Sequence, residues 1–591
     1  MRTADTVYSI IRERGKRGLS LERVQHLLYN EELYLRAYAK LYPNKGAMTK
    51  GITDETVDAM SRRKIQLLIT ELRQKEFRWT PVRRIHIPKK KGTRPLGIPT
   101  WRDKLLQEVI RSLLEEYYEP QFSKASHGFR PGHGCHTALQ QIQGTWTGTR
   151  WFLEGDISKY FDTINHDILM KILGEHIHDP RFLQLIRELL EAGYIENWKF
   201  NVTLSGTPQG SVLSPLLANV YLNQFDQYVE RILIPEYTQG ETRRGNPAYR
   251  SLINKMRYTT IQGKQVIRKQ MRHLPAMDPY DPAYRRLRFI RYADDWLLGY
   301  DGTRQEAEEI KRKIGVWLQE NLKLTLSEEK TLITHAVKGA ARFLGYEIVN
   351  QQYNGHIYKG RRRSLNGTIG LRIPNDVIEK KCAQYLKKGK PAHRSKLLED
   401  DDFSIVERYQ QEYRGMVQYY LLAYNVGRLN KLRWIAEQSL MKTLASKHQR
   451  SVASLYAKYS AKAQTPEGKT LKCLEVKRER KNKPPLTARF GGISLTRQPR
   501  AILNDNPYVH KVGRTEILRR LLADTCELCE STDNVEVHHI RKLADLKDKG
   551  GREVPVWKKV MAARRRKTLV VCHECHINIT YGRPTRLKIS L

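Results

Sequence analysis

Two adjacent acids inside an apolar strand pattern constrain this chain more than any other feature. In Arg291-Tyr292-Ala293-Asp294-Asp295-Trp296, with RFI before it in the chain and LLGY after, a pair of carboxylates interrupts a run suited to burial. Burying a carboxylate is costly unless a cation neutralises it. A tight strand–turn–strand meets both demands, with the acids at the turn and a metal beside them. Upstream, the strand-like run WFLEG ends at Asp156 and enters a turn. Together Asp156, Asp294 and Asp295 could hold two Mg²⁺ about 3.5–4 Å apart, the spacing that in-line phosphoryl transfer requires. Either acidic site taken alone is equally compatible with a surface turn. Their combination with a third motif is what points to chemistry.

That third motif is Ser205-Gly206-Thr207-Pro208-Gln209-Gly210-Ser211, followed by the helical pattern VLSPLLANVYLNQFD. Gly and Pro let the backbone approach a ligand closely, and the Gln209 amide can donate hydrogen bonds there. By itself the segment also reads as a loop leading into a helix, with Ser or Thr as its cap. Charge narrows the partner: 105 Lys+Arg against 63 Asp+Glu leave a net +42 over 591 residues. Neutralising many phosphates releases many counterions, so a polyanion is expected, and nucleic acid fits better than an anionic membrane surface. No apolar run approaches the ~20 residues needed to cross a bilayer. The opening MRTADTVYSIIRERGKRG has no apolar h-region, so no membrane partner and a cytoplasmic location are expected.

The pattern along the chain predicts a multidomain α+β protein of three to five domains. Residues 19–41 carry apolar positions at helical spacing. They lead into NKGAMTKGITDET, read as a loop with a helix opening near Thr53 or Asp54. From about 80 to 350, strand-like runs such as RRIHIP and FLGYEIV alternate with helical stretches. The basic, Tyr-, Pro- and Gly-rich segment from Pro235 to Arg288 reads as an insertion or long loop outside the core. Residues 376–445 are helical again, and a Lys/Arg-rich polar stretch runs to about 510. Tyr419, Tyr420, Leu421 and Leu422 are expected as helix-core contacts. The stretches YKGRRR (358–363) and VKRERKNKPPLTAR (476–489) are expected to meet phosphates.

Seven cysteines include two C-x-x-C pairs, Cys526/Cys529 and Cys572/Cys575, with about 42 residues between the pairs. Two such knuckles can supply four thiolates in tetrahedral geometry, enough for one closed structural Zn²⁺. A redox pair is the alternative, and a disulfide framework would spread its cysteines more widely.

These motifs, in this order, resemble those of a group II intron-encoded protein: reverse transcriptase, maturase and HNH endonuclease in one polypeptide. GDISKYFD resembles the motif bearing the first metal-binding Asp, GTPQGSVLSPLLANVYL the template and nucleotide contact, and RYADD the catalytic strand–turn. RRIHIPKKKGTRPLGIPTWRDKLLQ resembles the fingers motif, SHGFRPGHGCHTAL the one after it, and LTLSEEKT with RFLGYEI the closing palm motifs. The resemblance implies right-hand polymerase fingers and palm, a helical thumb (maturase X) domain, a basic DNA-binding region and a small ββα-metal HNH domain. The expected bounds are 1–80 for an N-terminal extension, 81–350 for fingers and palm, 351–447 for the thumb, 448–512 for the basic region and 513–591 for the HNH domain. It further implies Asp156, Asp294 and Asp295 as Mg²⁺ ligands and Phe161 as a steric gate against the ribonucleotide 2′-OH. Arg94, helped by Lys89 or Lys90, would contact the incoming triphosphate, since the Arg fork pairs with phosphate oxygens. Gln209 would pack on the nascent base pair. Lys330 would protonate the pyrophosphate leaving group, unless it is simply a solvated charge.

In the cysteine block, VEVHHI and the His that follows Cys575 resemble an HNH nuclease. His539 would be its general base, and His538 and His576 ligands of a catalytic Mg²⁺ or Mn²⁺. The family pattern has a further His four residues after His576, where this chain has Thr580, a poor substitute for imidazole. Weaker metal binding is expected there, with cleavage slowed or replaced by DNA binding. The expected substrates and partners are group II intron RNA, dNTPs and a single- and double-stranded DNA target. Two rivals remain: a splicing maturase with residual polymerase or inactive nuclease, and a reverse transcriptase of another retroelement.

Overall fold

The computed structural model describes residues 2–44, 46–88, 92–196, 199–201, 206, 210–278, 280–352, 357–358, 362–363, 366–465, 468–480, 483–503, 516–540, 543–546, 554–564 and 566–585. Lys89, Lys90 and Gln209, expected at the nucleotide site, lie outside the described residues, as do the side chains of 358–363.

A five-stranded sheet sits at the centre, in the order Leu332–His335, Trp151–Gly155, Asp295–Asp301, Arg286–Tyr292, Ser126–His127. Neighbours are antiparallel except the last pair, in which Arg291 and Tyr292 run parallel to Ser126 and His127. Its strands read as apolar runs because both faces are covered. Successive side chains point to opposite faces. Leu153, Phe289, Trp296 and Leu298 therefore enter one core with helices Ser214–Tyr228 and Arg304–Leu322. Phe152, Ile290 and Leu297 enter a second core with helix Cys135–Thr145. Gly155 is required at its place, since a Cβ there would lie 2.0 Å from the Trp296 ring.

The first core also takes in the N-terminal helices Ala4–Lys16, Glu31–Leu41, Arg62–Gln74 and Trp101–Tyr118. The helical reading of 19–41 holds for Val24–Leu27 and from Glu31 onward. Leu21–Glu22 is a short strand paired in parallel with Ile177–His178, and Asn30 caps the helix by accepting from the Glu32 amide. The helix expected near Thr53 or Asp54 opens instead at Arg62, with Ser61 as its cap. Met60–Ser61 is drawn out as a strand against Val537 and Glu536, far away in sequence, and this keeps the preceding residues in turns. A four-stranded sheet lies beside this core. In it the hairpin Val82–Pro88/Thr93–Ile98 is extended by Tyr194–Glu196 and Lys199–Asn201.

The segment expected as an insertion holds two helices, Pro247–Arg257 and Ile261–Met271, neither of which buries a residue. It ends before Arg286, which already belongs to the central sheet. Helices Asp402–Tyr419 and Leu429–His448 build the second core. The meander Ser460–Gln464, Thr470–Arg480 and Lys483–Gly491 joins them, with Phe490 against Tyr409 and Tyr413. Tyr420 and Leu422 are buried there and Tyr419 and Leu421 pack against the same core, but only Tyr419 does so from a helix, the other three lying in the turn that follows it.

At the C-terminal end, strands Val535–His539 and Thr568–Cys572 and helix His573–Thr580 form a ββα unit. Its strand residues Val535, Val537 and Val570 lie in the first core, together with Val57, Met60 and Tyr38 of the N-terminal region. Among the described residues, no helix is long and apolar enough to cross a membrane.

Candidate active sites

Register brings the three acids of the polymerase-like motifs together. Trp296 pairs with Gly155, so Asp295 at the start of its strand stands beside Asp156 at the end of the neighbouring one. Tyr292 pairs with Asp295, leaving Ala293 and Asp294 as a two-residue turn. Ala293 has φ +54, a left-handed conformation costing on the order of 1–3 kcal/mol for a residue with a side chain. Two contacts hold it there: its amide donates to the His127 carbonyl at 2.9 Å, and its carbonyl accepts from Arg291 Nη1 at 2.8 Å.

Arg291 is the residue that the motif reading missed. It is fully buried, and its fork pairs bidentately with Asp226, at 2.6 Å from both Nε and Nη2. Further bonds run to Asn219 at 3.1 Å and Ser126 at 2.7 Å. Burial works against the guanidinium charge, but Asp226 outweighs it and raises the Arg291 pKa above its ordinary value. The available signal was positional: Arg291 sits inside an apolar strand pattern, where a free charge cannot remain buried.

Crowded carboxylates resist ionising side by side. Burial, with the Asp294 and Asp156 charges adding to it, pushes Asp295 up to about 7. Asp294 is raised by burial and by Asp156, while Arg94 and Lys330 oppose the shift. A divalent cation would favour the ionised forms of such a cluster. Lys330 donates to Asp156 Oδ2 at 2.6 Å, placed by the loop in which the Ser327 amide donates to the Asp156 carbonyl at 2.9 Å. Phe161 is half-buried on the segment after Asp156, edge-on to Phe129 with ring centroids 6.4 Å apart. Gly206 and Gly210 seat the ends of the third motif. A Cβ on Gly206 would lie 2.7 Å from the Phe161 carbonyl, and one on Gly210 would lie 2.5 Å from the Gly97 carbonyl. Gly206 has φ +86 and Gly210 φ +107, so both also need glycine's freedom.

A second centre lies in the C-terminal unit. The Cys526, Cys529, Cys572 and Cys575 sulfurs lie within 4.8 Å of one another, with Cys529 3.6 Å from Cys572 and 3.7 Å from Cys575. A tetrahedron with metal–sulfur bonds of about 2.3 Å has edges of about 3.8 Å, so the set fits one closed metal site. All four are free thiols, and these separations are too long for a disulfide. Burial pushes Cys572 up to about 11, which a bound cation would reverse.

Beside it, His538 and His576 converge, with Nδ1 and Nε2 3.1 Å apart. The Glu536 carboxylate sits 3.2 Å from His576 Nδ1 and accepts from His573 Nδ1 at 2.7 Å. His539 follows the strand alternation to the other side. Its Nε2 lies 2.9 Å from the Tyr38 hydroxyl, and only 6% of the residue is exposed. Burial pushes His539 down to about 4, which keeps the ring neutral. Thr580 turns away from the cluster and donates to the His576 carbonyl at 2.9 Å.

Three family models match consecutive parts of the chain. Reverse transcriptase (RNA-dependent DNA polymerase) covers residues 87–348, type II intron maturase covers 372–496, and AI2M/AI1M-like HNH endonuclease covers 526–576. The chain is 37% identical to the group II intron-encoded protein LtrA of Lactococcus lactis subsp. cremoris, over 95% of this chain and 96% of that protein. It is 34% identical to a 91 kDa protein in a cob intron of Schizosaccharomyces pombe, over 93% of this chain and 69% of that protein. Protein YkfC of Escherichia coli is 33% identical over 62% of this chain and 90% of its own length.

The buried pair beneath the acidic turn carries a testable consequence. Arg291→Lys removes the fork, leaves Asp226 incompletely paired and frees the Ala293 carbonyl. Breaking a buried pair from one side costs about 3–5 kcal/mol. A lower Tm by differential scanning fluorimetry is expected, with primer extension falling more than RNA affinity. An unchanged Tm and unchanged extension would show that the turn holds without this pair.

Proposed function

Since the chain belongs to the group II intron-encoded proteins, with reverse transcriptase, maturase and HNH endonuclease regions in one polypeptide, we propose that it copies its intron RNA into DNA at Asp156, Asp294 and Asp295. The observation that supports this is the Trp296–Gly155 register, which brings Asp295, at the start of one strand, beside Asp156, just past the end of its neighbour, with Asp294 in the adjoining turn. These three acids would hold two Mg²⁺, which supply charge neutralisation and activation of a DNA 3′-OH toward a dNTP α-phosphate. Lys330, which donates to Asp156, would orient that carboxylate and meet the pyrophosphate as it leaves. Arg94, close enough to lower the Asp294 pKa, would take the triphosphate, with Lys89 or Lys90 beside it. Gln209 would lie against the nascent pair, between the two glycines whose seats are described above. The expected layout remains the one of fingers and palm at 81–350, thumb at 351–447 and a basic DNA-binding region at 448–512. Intron RNA, the DNA target and dNTPs are its partners in this reading, and the bacterial cytoplasm its place of work.

In the C-terminal unit we assign one structural Zn²⁺ to Cys526, Cys529, Cys572 and Cys575. His538 and His576 hold a catalytic Mg²⁺ or Mn²⁺, and His539 acts as general base for nicking one strand of the target.

Asp294→Ala is expected to abolish Mg²⁺-dependent cDNA synthesis without loss of RNA affinity, because a metal ligand acts on the chemistry while most phosphate contacts lie elsewhere. Primer extension and filter binding on one preparation test it, and retained extension would end the assignment. Phe161→Ala is expected to raise ribonucleotide incorporation by opening space for the 2′-OH. Single-nucleotide extension with unchanged rNTP:dNTP discrimination would remove Phe161 from the gate. Elemental analysis is expected to return one zinc per chain, lost in Cys575→Ser together with the fold of the C-terminal unit. Full zinc occupancy in that variant would contradict the four-thiolate site.

A further inference from the structure

We propose that Asp58, from the N-terminal region, is the third protein ligand of the nuclease metal, so that the nuclease centre is assembled from the two ends of the chain. This inference rests on reading His538 and His576 as ligands of that metal.

Placement comes from strand pairing. The Thr56 hydroxyl accepts from the Asp58 amide at 3.2 Å, and the Ala59 amide donates to the Val537 carbonyl at 3.0 Å. Met60 and Ser61 then pair with Val537 and Glu536, adding a strand to the sheet of the ββα unit. Buried Met60 and Val57 anchor this strand in the first core. Asp58 is thereby delivered to the His-bearing strand, and its Oδ1 accepts from the His539 amide at 2.8 Å.

The geometry is that of a metal site. Asp58 Oδ1 lies 3.2 Å from His576 Nε2 and 3.6 Å from His538 Nδ1, and those two nitrogens are 3.1 Å apart. Donors about 2.1 Å from one cation, at tetrahedral or octahedral angles, are about 3.0–3.4 Å from each other. The cluster also has a supporting shell. Glu536, 3.2 Å from His576 Nδ1, can accept an N–H from that nitrogen, which would leave Nε2 for a metal shared with Asp58 and His538. Two imidazoles and a carboxylate leave several positions open on a divalent ion, as a phosphodiester and a water require. Thr580, bonded back into its own helix, contributes nothing. The ligand that the C-terminal unit lacks is therefore supplied from the N-terminal region, and with it the negative charge that two neutral imidazoles cannot provide.

Mn²⁺ binding to the full-length protein tests this, followed by electron paramagnetic resonance. Asp294→Ala and Asp295→Ala are carried throughout to remove the polymerase metals. Asp58→Asn keeps the shape of the side chain and is expected to weaken the remaining Mn²⁺ site at least tenfold, with zinc content unchanged. Tyr38→Phe loosens the same interface without removing a ligand, and is expected to stay within twofold of the parent. Equal affinity in Asp58→Asn and its parent would overturn the proposal, as would equal losses in Asp58→Asn and Tyr38→Phe. Tighter Mn²⁺ binding in Asp58→Asn would overturn it too, making the carboxylate a competitor of the metal. His576→Ala separates this proposal from its premise. Loss of the site there, with binding retained in Asp58→Asn, refutes Asp58 alone, whereas retention in both refutes the nuclease-metal reading as well.

Discussion

The pairing of Arg291 with Asp226 is the interaction on which the polymerase-like centre depends. A guanidinium with no exposure, forked on a carboxylate with none, tolerates almost no displacement of either partner. The same guanidinium reaches the Ala293 carbonyl and the Ser126 hydroxyl. One side chain thus ties helix Ser214–Tyr228, the edge strand Ser126–His127 and the acidic turn into one body. Replacing such a pair with apolar residues is often neutral in stability, so its value here is geometric. It fixes the turn on which two carboxylates sit.

Around that pair the sheet is covered on both faces, which explains its apolar strands and its two cores. The first core continues into the N-terminal helices and from there into the strands of the C-terminal unit. The second runs from helix Cys135–Thr145 through the maturase-matching helices to the basic meander. Consequently the nuclease unit is not a bead on a linker. Its sheet gains a strand from Met60–Ser61, and His539 is sealed by Tyr38.

Much was legible from residue type and spacing. Paired acids in an apolar strand, an upstream strand-ending Asp and two C-x-x-C knuckles each name their chemistry locally, because metal ligands are few in kind and short in reach. Arg291 was harder. Its neighbours in sequence suggest strand, but nothing near it announces the Asp226 that makes its burial tolerable. The helix expected near Asp54 failed for a similar reason. Local propensity there favours a helix opening, and a strand partner almost five hundred residues away overrules it.

The sequence by itself determined which groups each centre can offer, since three carboxylates, four cysteines and the paired histidines are specified by identity and order along the chain. Only the tertiary structure decided which distant groups complete them: Asp226 for Arg291, Lys330 for Asp156, Glu536 and Asp58 for His576, and Tyr38 for His539. The physical reason is that these partnerships are set by strand register and by the packing of shared cores. Both are sums of many weak contacts between segments far apart in the chain, and no short window of sequence contains them.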